Sequence, residues 1–448
     1  MLQAEDFGAI GDGERDDTVA LQAALSRAEG SGLRLRARPY AIRDTLLIPT
    51  NCVLEGRGAV IHQKSDDKPI LASLAWAGRG PTKGYTRILG LRLQGTGRGE
   101  RQDGIVLHDY WSEIADVEVV EPGGRGIVLA EEDQRGSRPS STLVENRIRN
   151  CVVRHARRSA FFLGKPANGK LTDGELSNCI ASLHDSAREP AVAIGHSAGW
   201  IVNGLHSYGG QPRAAIEIHN PFFTSLSNLY LEGFEEAGLA INGVQTSVSV
   251  SSLHIIAKRF GRDAAFIKLS GHGAFETSTA HLASIGLWND GPNPVTAVRL
   301  EGKPIRLMAN GVALSGPGAA KIAPGALQGP GAPAPAENGR RIASWVGRAP
   351  QRVVIASRPG GERFESSFML AITGRSHDGG LTTAYSGTLH WSRVNAGDPA
   401  TIADLVETSP MRGFQKAPEI VLEKSGNGVT LALAFTPIAS GPGQISIR

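Results

Sequence analysis

A short unit recurs along the middle of this chain, and that recurrence limits the fold more than any other feature. Six-residue stretches with alternating apolar positions begin at Ile88, Ile114, Ile148, Leu176, Val202, Leu226 and Val250, at steps of 26, 34, 28, 26, 24 and 24 residues. Periods in this range are the mark of a solenoid, in which each unit is too small to bury its own apolar face and stacks on the next. The third position of the unit carries Asp116, Asn150, Asn178, Gly204, Asn228 and Ser252. Small polar residues and glycine tolerate a tight bend and can hydrogen-bond along a stack.

A second apolar run follows about half a turn later in each unit, as in Ile127-Val128-Leu129, Phe161-Phe162-Leu163, Ile216-Glu217-Ile218 and Phe266-Ile267-Lys268-Leu269. Strand, turn, strand and turn at this period make a coil whose strands pair with their equivalents in neighbouring coils. Side chains alternate in and out along each strand. Leu205, Leu229 and Leu253 then face in, while His206, Tyr230 and His254 face out, one above another. Tyr208 and Glu232 fall in the next outward column, and Glu217 and Arg299 point out from the second strand, with His219 and Lys268 nearby. Cys151 and Cys179 occupy the same place in adjacent units, as expected of inward thiols packing as small apolar groups.

Ahead of the repeat stands Asp6-Phe7-Gly8-Ala9-Ile10-Gly11-Asp12-Gly13, followed by Asp16-Asp17-Thr18 and a run to Ala28. The glycines suit a short strand folding back through tight turns. Asp16 or Asp17 is placed to cap a helix whose apolar side is Val19, Leu21, Ala24, Leu25 and Ala28. Such a helix closes the open end of a solenoid. This segment resembles the opening of the pectate-lyase-like right-handed parallel β-helix family, common in phage tailspikes and capsule depolymerases. The resemblance implies an all-β right-handed parallel β-helix with a short capping helix at 1–40 and the coil at 41–315. It also implies a homotrimer. Many relatives carry a particle-anchoring domain before this segment, where five residues stand here, so attachment to a virion or phage-like particle implies a separate adaptor protein or a docking surface on the N-terminal cap.

Residues 316–339 are rich in Gly, Pro and Ala and read as a linker. Strand-like runs at 352–356, 367–373, 387–391, 419–422, 430–435 and 444–447 then suggest an antiparallel β-sandwich over 340–448. In spikes that resemble this chain, such a module trimerises or binds sugar.

Net charge is +4, and local basic groups such as Arg34, Arg36, Arg38 and Arg43 read chiefly as a solvated face that leans towards anionic polymers. No nucleic-acid motif is present. The cysteines at 52, 151 and 179 have no disulfide or metal spacing. Asp12-Gly13 with Asp16-Asp17 lacks the terminal Glu of a calcium loop and reads as turn and cap, and the acidic run Glu131-Glu132-Asp133 reads as an exposed insertion. No cofactor or metal is expected. No signal peptide is visible and no stretch approaches ~20 apolar residues, so membrane insertion is not expected.

The outward His/Tyr ladder with its flanking carboxylates is the best candidate site. Glycoside hydrolysis needs two carboxyl groups, with Glu217, Glu232, Glu235 and Glu236 as candidates and Asp185 or Glu189 contributing from a neighbouring coil. Elimination from a uronate needs a base and a cation, for which His206, Tyr230, His254 and Lys268 stand ready; Tyr208, Tyr230, Lys268 and Arg299 are the substrate-binding candidates. Three readings stay open: a spike that recognises and can depolymerise a bacterial surface polysaccharide, extracellular or on a particle; a free secreted lyase or hydrolase; and a capsule-binding spike with no turnover.

Overall fold

The structure is a computed structural model. It describes residues 1–326 except 83, 167, 168 and 273–277, and the backbone of eight strands between 340 and 447. Two compact units result, Met1–Ala326 and Leu327–Arg448.

The first unit is a right-handed parallel β-helix. The coils contribute one strand, or two short ones either side of a bend, to a 15-stranded sheet and one strand to an 11-stranded sheet, both parallel, with the core between them. The first residues of the seven units stack in register: Ile88 on Ile114, Ile114 on Ile148, then Leu176, Val202, Leu226 and Val250. The stack extends beyond those units at both ends, from Leu2 and Leu33 to Leu282 and Ala309.

The polar third positions explain the bend. Asp116, Asn150, Asn178, Asn228 and Ser252 have φ between 51° and 57°, and Gly204 has 68°. This is the left-handed region that Asn, Asp and Gly visit at least cost. Asn150 Nδ2 donates to Asp116 Oδ1 at 3.1 Å, so part of the column is stitched along the axis. One residue on, Val117, Cys151, Cys179, Leu205, Leu229 and Leu253 are all buried. Burial pushes the Cys151 thiol well up, with Cys179 beside it adding to the effect, so the Cys151 sulfur is not set up as a nucleophile.

The helix spans Thr18–Arg27 and buries Leu21, Ala24 and Leu25; Val19 is 82% exposed and lies off the apolar side. Asp17 does not cap it with its side chain. Its carboxylate accepts from the N–H groups of Ile10 (2.6 Å) and Gly11 (3.1 Å), fixing the glycine turn, while Asp16 Oδ1 accepts from Thr18 N–H. Ala4–Phe7 is a 3-10 turn where a strand was expected. Glu131, expected on an exposed insertion, is buried and accepts from the N–H groups of Lys165, Lys170 and Leu171.

The coil does not stop near Leu314. Ile322–Gly325 pairs with Val295–Leu300 and adds a strand to the second sheet, so the first residues of the Gly/Pro/Ala-rich stretch belong to the coil. Residues 327–339 of that stretch lie outside the described residues. The second unit has an antiparallel sheet of five strands and another of three; Arg340–Val346 and Thr401–Glu407 join the runs read from sequence. Among the described residues no helix is long and apolar enough to cross a membrane.

Candidate functional site on the outer faces of the coil

On the first sheet Ile180, His206, Tyr230 and His254 stack in one outward column. The His206 ring lies between two phenols, with centroids 4.9 Å from Tyr208 and 4.8 Å from Tyr230. Its Nε2 is 3.4 Å from Glu232 Oε1, an ion-pair distance without hydrogen-bond alignment, and has no other partner among the described residues. Lys258 Nζ donates to the other oxygen, Oε2. The next position of the column is Gly286, whose side-chain space the His254 ring fills: a Cβ there would sit 2.6 Å from His254 Nδ1.

The charges in this cluster are coupled. Burial works to raise the Glu232 carboxyl but is outweighed by Lys258, Tyr230 and His206, so it is held below the usual carboxylate range. The Tyr230 phenol is pushed up, by burial first and then by Glu232. Near neutrality the site therefore presents a carboxylate, a phenol that keeps its proton, and an imidazole stacked between Tyr208 and Tyr230. Tyr230 is 38% exposed and Trp288 is 43% exposed, giving a polymer an aromatic surface to lie on.

Of the remaining sequence candidates, Glu217, Lys268 and Arg299 stand on strands of the second sheet, while Asp185, Glu189, Glu235 and Glu236 lie in the turns that lead into it. Phe162, Ala193, Glu217, Ala240, Lys268 and Arg299 form its outward column. Glu217 is only 8% exposed: Arg213 Nε donates to its Oε2 at 3.0 Å, and His219 Nε2 lies 2.7 Å from Oε1. Burial raises its carboxyl, but His219 and Arg213 more than offset this and hold it low. Lys268 is shared between Glu236 (3.5 Å) and Glu301 (3.6 Å), and Arg299 donates to the Asp263 carbonyl at 2.6 Å. Glu217 and Glu232 thus face out from different sheets and cannot act as a hydrolytic pair; nor do Lys268 and Arg299 join the His206 cluster.

Two further carboxylates, Asp103 and Glu189, lie in turns that lead into second-sheet strands and both accept from Arg125. Glu189 accepts from Arg125 Nε (3.1 Å), Arg158 Nε (3.0 Å) and Ser159 Oγ (3.2 Å). Burial pushes it up, and the two guanidinium groups overcome this and bring it down to about 2. It shares a cavity of about 380 Å³ with Phe162, Glu217 and His219. Asp103, which accepts from Arg125 N–H at 2.7 Å, lines an adjoining cleft of about 1060 Å³ that also takes in Trp76 and Arg158. Burial raises its carboxyl to about 6 against the pull of Arg125 and Arg158.

Sequence reasoning named Glu189 but missed Lys258 and Asp103. Extending the Tyr230–Glu232 register by one coil and two residues reaches Lys258. Asp103 directly precedes Gly104-Ile105, a second-sheet strand one coil earlier than the run that begins at Ile127.

No family model matches the sequence, and no curated protein does. Among solved structures the chain is similar to the A-module of mannuronan C-5 epimerase AlgE6 from Azotobacter vinelandii, at 17% identity over 71% of this chain and 97% of that one, with a TM-score of 0.50. It also aligns with the Dettilon tailspike protein (12% identity, 100% of this chain and 93% of that one, TM-score 0.47). The tailspike protein of Acinetobacter phage vB_ApiP_P1 aligns at 10% identity over 100% of this chain and 86% of that one, with a TM-score of 0.47. At these identities the likeness speaks for the fold alone.

Proposed function

We propose that the chain is a polysaccharide-recognising spike protein of a phage or phage-derived particle, and that the outer face of its first sheet holds an extended bacterial surface glycan. The observation that carries this reading is the His206 cluster: an imidazole held between Tyr208 and Tyr230, beside a carboxylate kept ionised by Lys258, on a long open sheet. A flat, laterally open surface suits a polymer better than a compact metabolite.

The cluster supports elimination from a uronate. His206 takes the proton next to the uronate carboxylate, the electron pair forms the new double bond, and the glycosidic C–O bond breaks. Tyr230, whose raised pKa keeps its proton in place, protonates the departing oxygen, and Lys258 faces the uronate charge. A second reading, hydrolysis, is favoured by one observation on the other sheet. Asp103 and Glu189 are displaced in opposite directions, as a general acid and its partner carboxylate require.

The spike context, with a homotrimer, is supported by the Asp6–Gly13 segment and its resemblance to phage spikes. Light-scattering mass on the full chain tests the trimer. Incubation with capsule and exopolysaccharide preparations, read by product size and by absorbance of unsaturated uronate, tests the chemistry. Shortened chains with that absorbance support elimination at His206; shortened chains without it move the reaction to Asp103 and Glu189. Binding without shortening contradicts both and leaves an adhesive spike, while a lone soluble monomer that shortens chains favours the free enzyme.

A further inference from the structure

A second bend recurs along much of the coil, about two residues before the first-sheet strand. Asn51, Glu145, Asp173 and Gly199 take it with φ of 54°, 60°, 53° and 67°. Backbone hydrogen bonds tie this corner together between coils, with Trp111 N–H donating to Val144 O at 2.8 Å and Glu145 N–H to Asp173 O at 2.9 Å. Three coils put a bulky aromatic residue there: Tyr85 (φ 69°), Trp111 (55°) and Phe223 (53°). Left-handed backbone is unfavourable for such residues, and strain of this kind persists where something outside local preference selects it.

Core packing does not select Tyr85 and Trp111, because they are 55% and 45% exposed. They sit on adjacent coils with ring centroids 5.2 Å apart and planes at 50°, and Tyr110 meets Trp111 edge-on, also at 5.2 Å. The space is made by Gly84, where a Cβ would lie 1.8 Å from the Tyr110 carbonyl oxygen. Around the rings run ion pairs, Arg87 to Glu113 at 2.7 Å and Arg147 to Glu145 at 3.7 Å. Aromatic rings with a hydrogen-bonding rim and, among the described residues, no large exposed aliphatic member match the two faces of a sugar, apolar C–H groups and peripheral hydroxyls. A protein partner would call for a broader aliphatic patch.

We propose that Tyr85, Tyr110 and Trp111 form a saccharide-stacking subsite for the polymer bound at His206. The inference rests on the polysaccharide reading. Glu113 and Ile201, which lead the strands of the platform and of His206, are three coils apart through Arg147 and Glu175, about 14 Å along the axis at ~4.8 Å per strand. Across the strands the platform falls at the position of Gly199, seven residues before His206 with the bend at Gly204 between them, so a polymer that touches both crosses that bend.

The test uses the full chain and its Tyr85→Asn/Trp111→Asn variant, with Trp111→Phe as a ring-retaining variant, against capsule and exopolysaccharide preparations. Asparagine suits the left-handed bend better than either aromatic, so the double variant should keep or raise the thermal midpoint while losing at least about tenfold in polymer affinity. Trp111→Phe should retain most of the affinity. Unchanged affinity in the double variant overturns the subsite and leaves the polysaccharide reading intact. A wild type that binds no preparation overturns both. A fall in thermal midpoint assigns the rings to packing, and a changed oligomeric mass assigns them to a subunit contact; either result overturns the proposal.

Discussion

The two sheets of the coil are built by the same repeat and both pair arginines with carboxylates, yet their outer faces leave different side chains open. On the second sheet the column begins apolar: Ala72, Val106 and Val128 are buried beneath Leu47, Trp76, Ala130 and Phe162. Where carboxylates follow, arginines fasten them, as at Glu189 and Glu217. Asp109 lies buried on this side without an arginine, and burial raises its carboxyl to about 7. On the first sheet the His206 nitrogen is left without an aligned partner, and Tyr230 and Trp288 stay open to solvent. Side chains locked by two guanidinium groups hold structure; side chains left half-satisfied on an open face are free to meet a ligand.

This contrast can be broken by substitution. The largest effect is expected at His206→Asn, which should lower the rate of polymer shortening by about 10²- to 10⁴-fold, the usual reach of a general base, with the thermal midpoint nearly unchanged. Steady-state rates alongside a melting curve check it. Next is Glu189→Ala on the other sheet, which strands Arg125 and Arg158 and should cost about 2–4 kcal/mol in denaturant unfolding. Wild-type Glu189 also carries a pH signature. Its folded pKa lies below the unfolded one, so its contribution is present above pH ~4 and is lost as pH falls towards 2.

Asp109 should behave in the reverse sense. Its folded pKa of about 7 exceeds the ordinary value, so its contribution is present below pH ~4 and is lost as pH rises through 7. Asp109→Asn should therefore gain on wild type by an amount on the order of 2 kcal/mol at pH 8 relative to pH 4, measured by urea unfolding at both values. The smallest change is expected at Glu232→Gln. Its pairs with Lys258 and His206 are partly exposed, so stability should move by less than about 1 kcal/mol, while polymer shortening falls with His206 no longer oriented. A large stability loss at Glu232 would erase the distinction between the faces.

The register of the coil was legible because two columns obey strong local rules: an inward apolar residue and, one place before it, a residue at ease in left-handed backbone. Asn178 with Cys179, and Asn228 with Leu229, satisfy both. The His206–Tyr230–His254 column followed from that register without further input. What stayed hidden depends on contacts between distant positions. Glu131 looks exposed in an acidic run, but its partners are backbone N–H groups 34 to 40 residues away. Glu217 and Glu232 look like neighbours in sequence, yet the turn between them carries them to different sheets. Tyr85 and Trp111 were invisible because they break the backbone preference that identifies their column.

Oxidative side-chain footprinting of the full chain, with and without a polysaccharide that it binds, tests the central assignment most directly. If the first sheet is the glycan face, Tyr208, Tyr230, His254 and Trp288 should be protected while Phe162 and His219 react as before. Protection of Phe162 and His219, with the His206 cluster unchanged, would contradict it and place the polymer against Glu189 and Glu217.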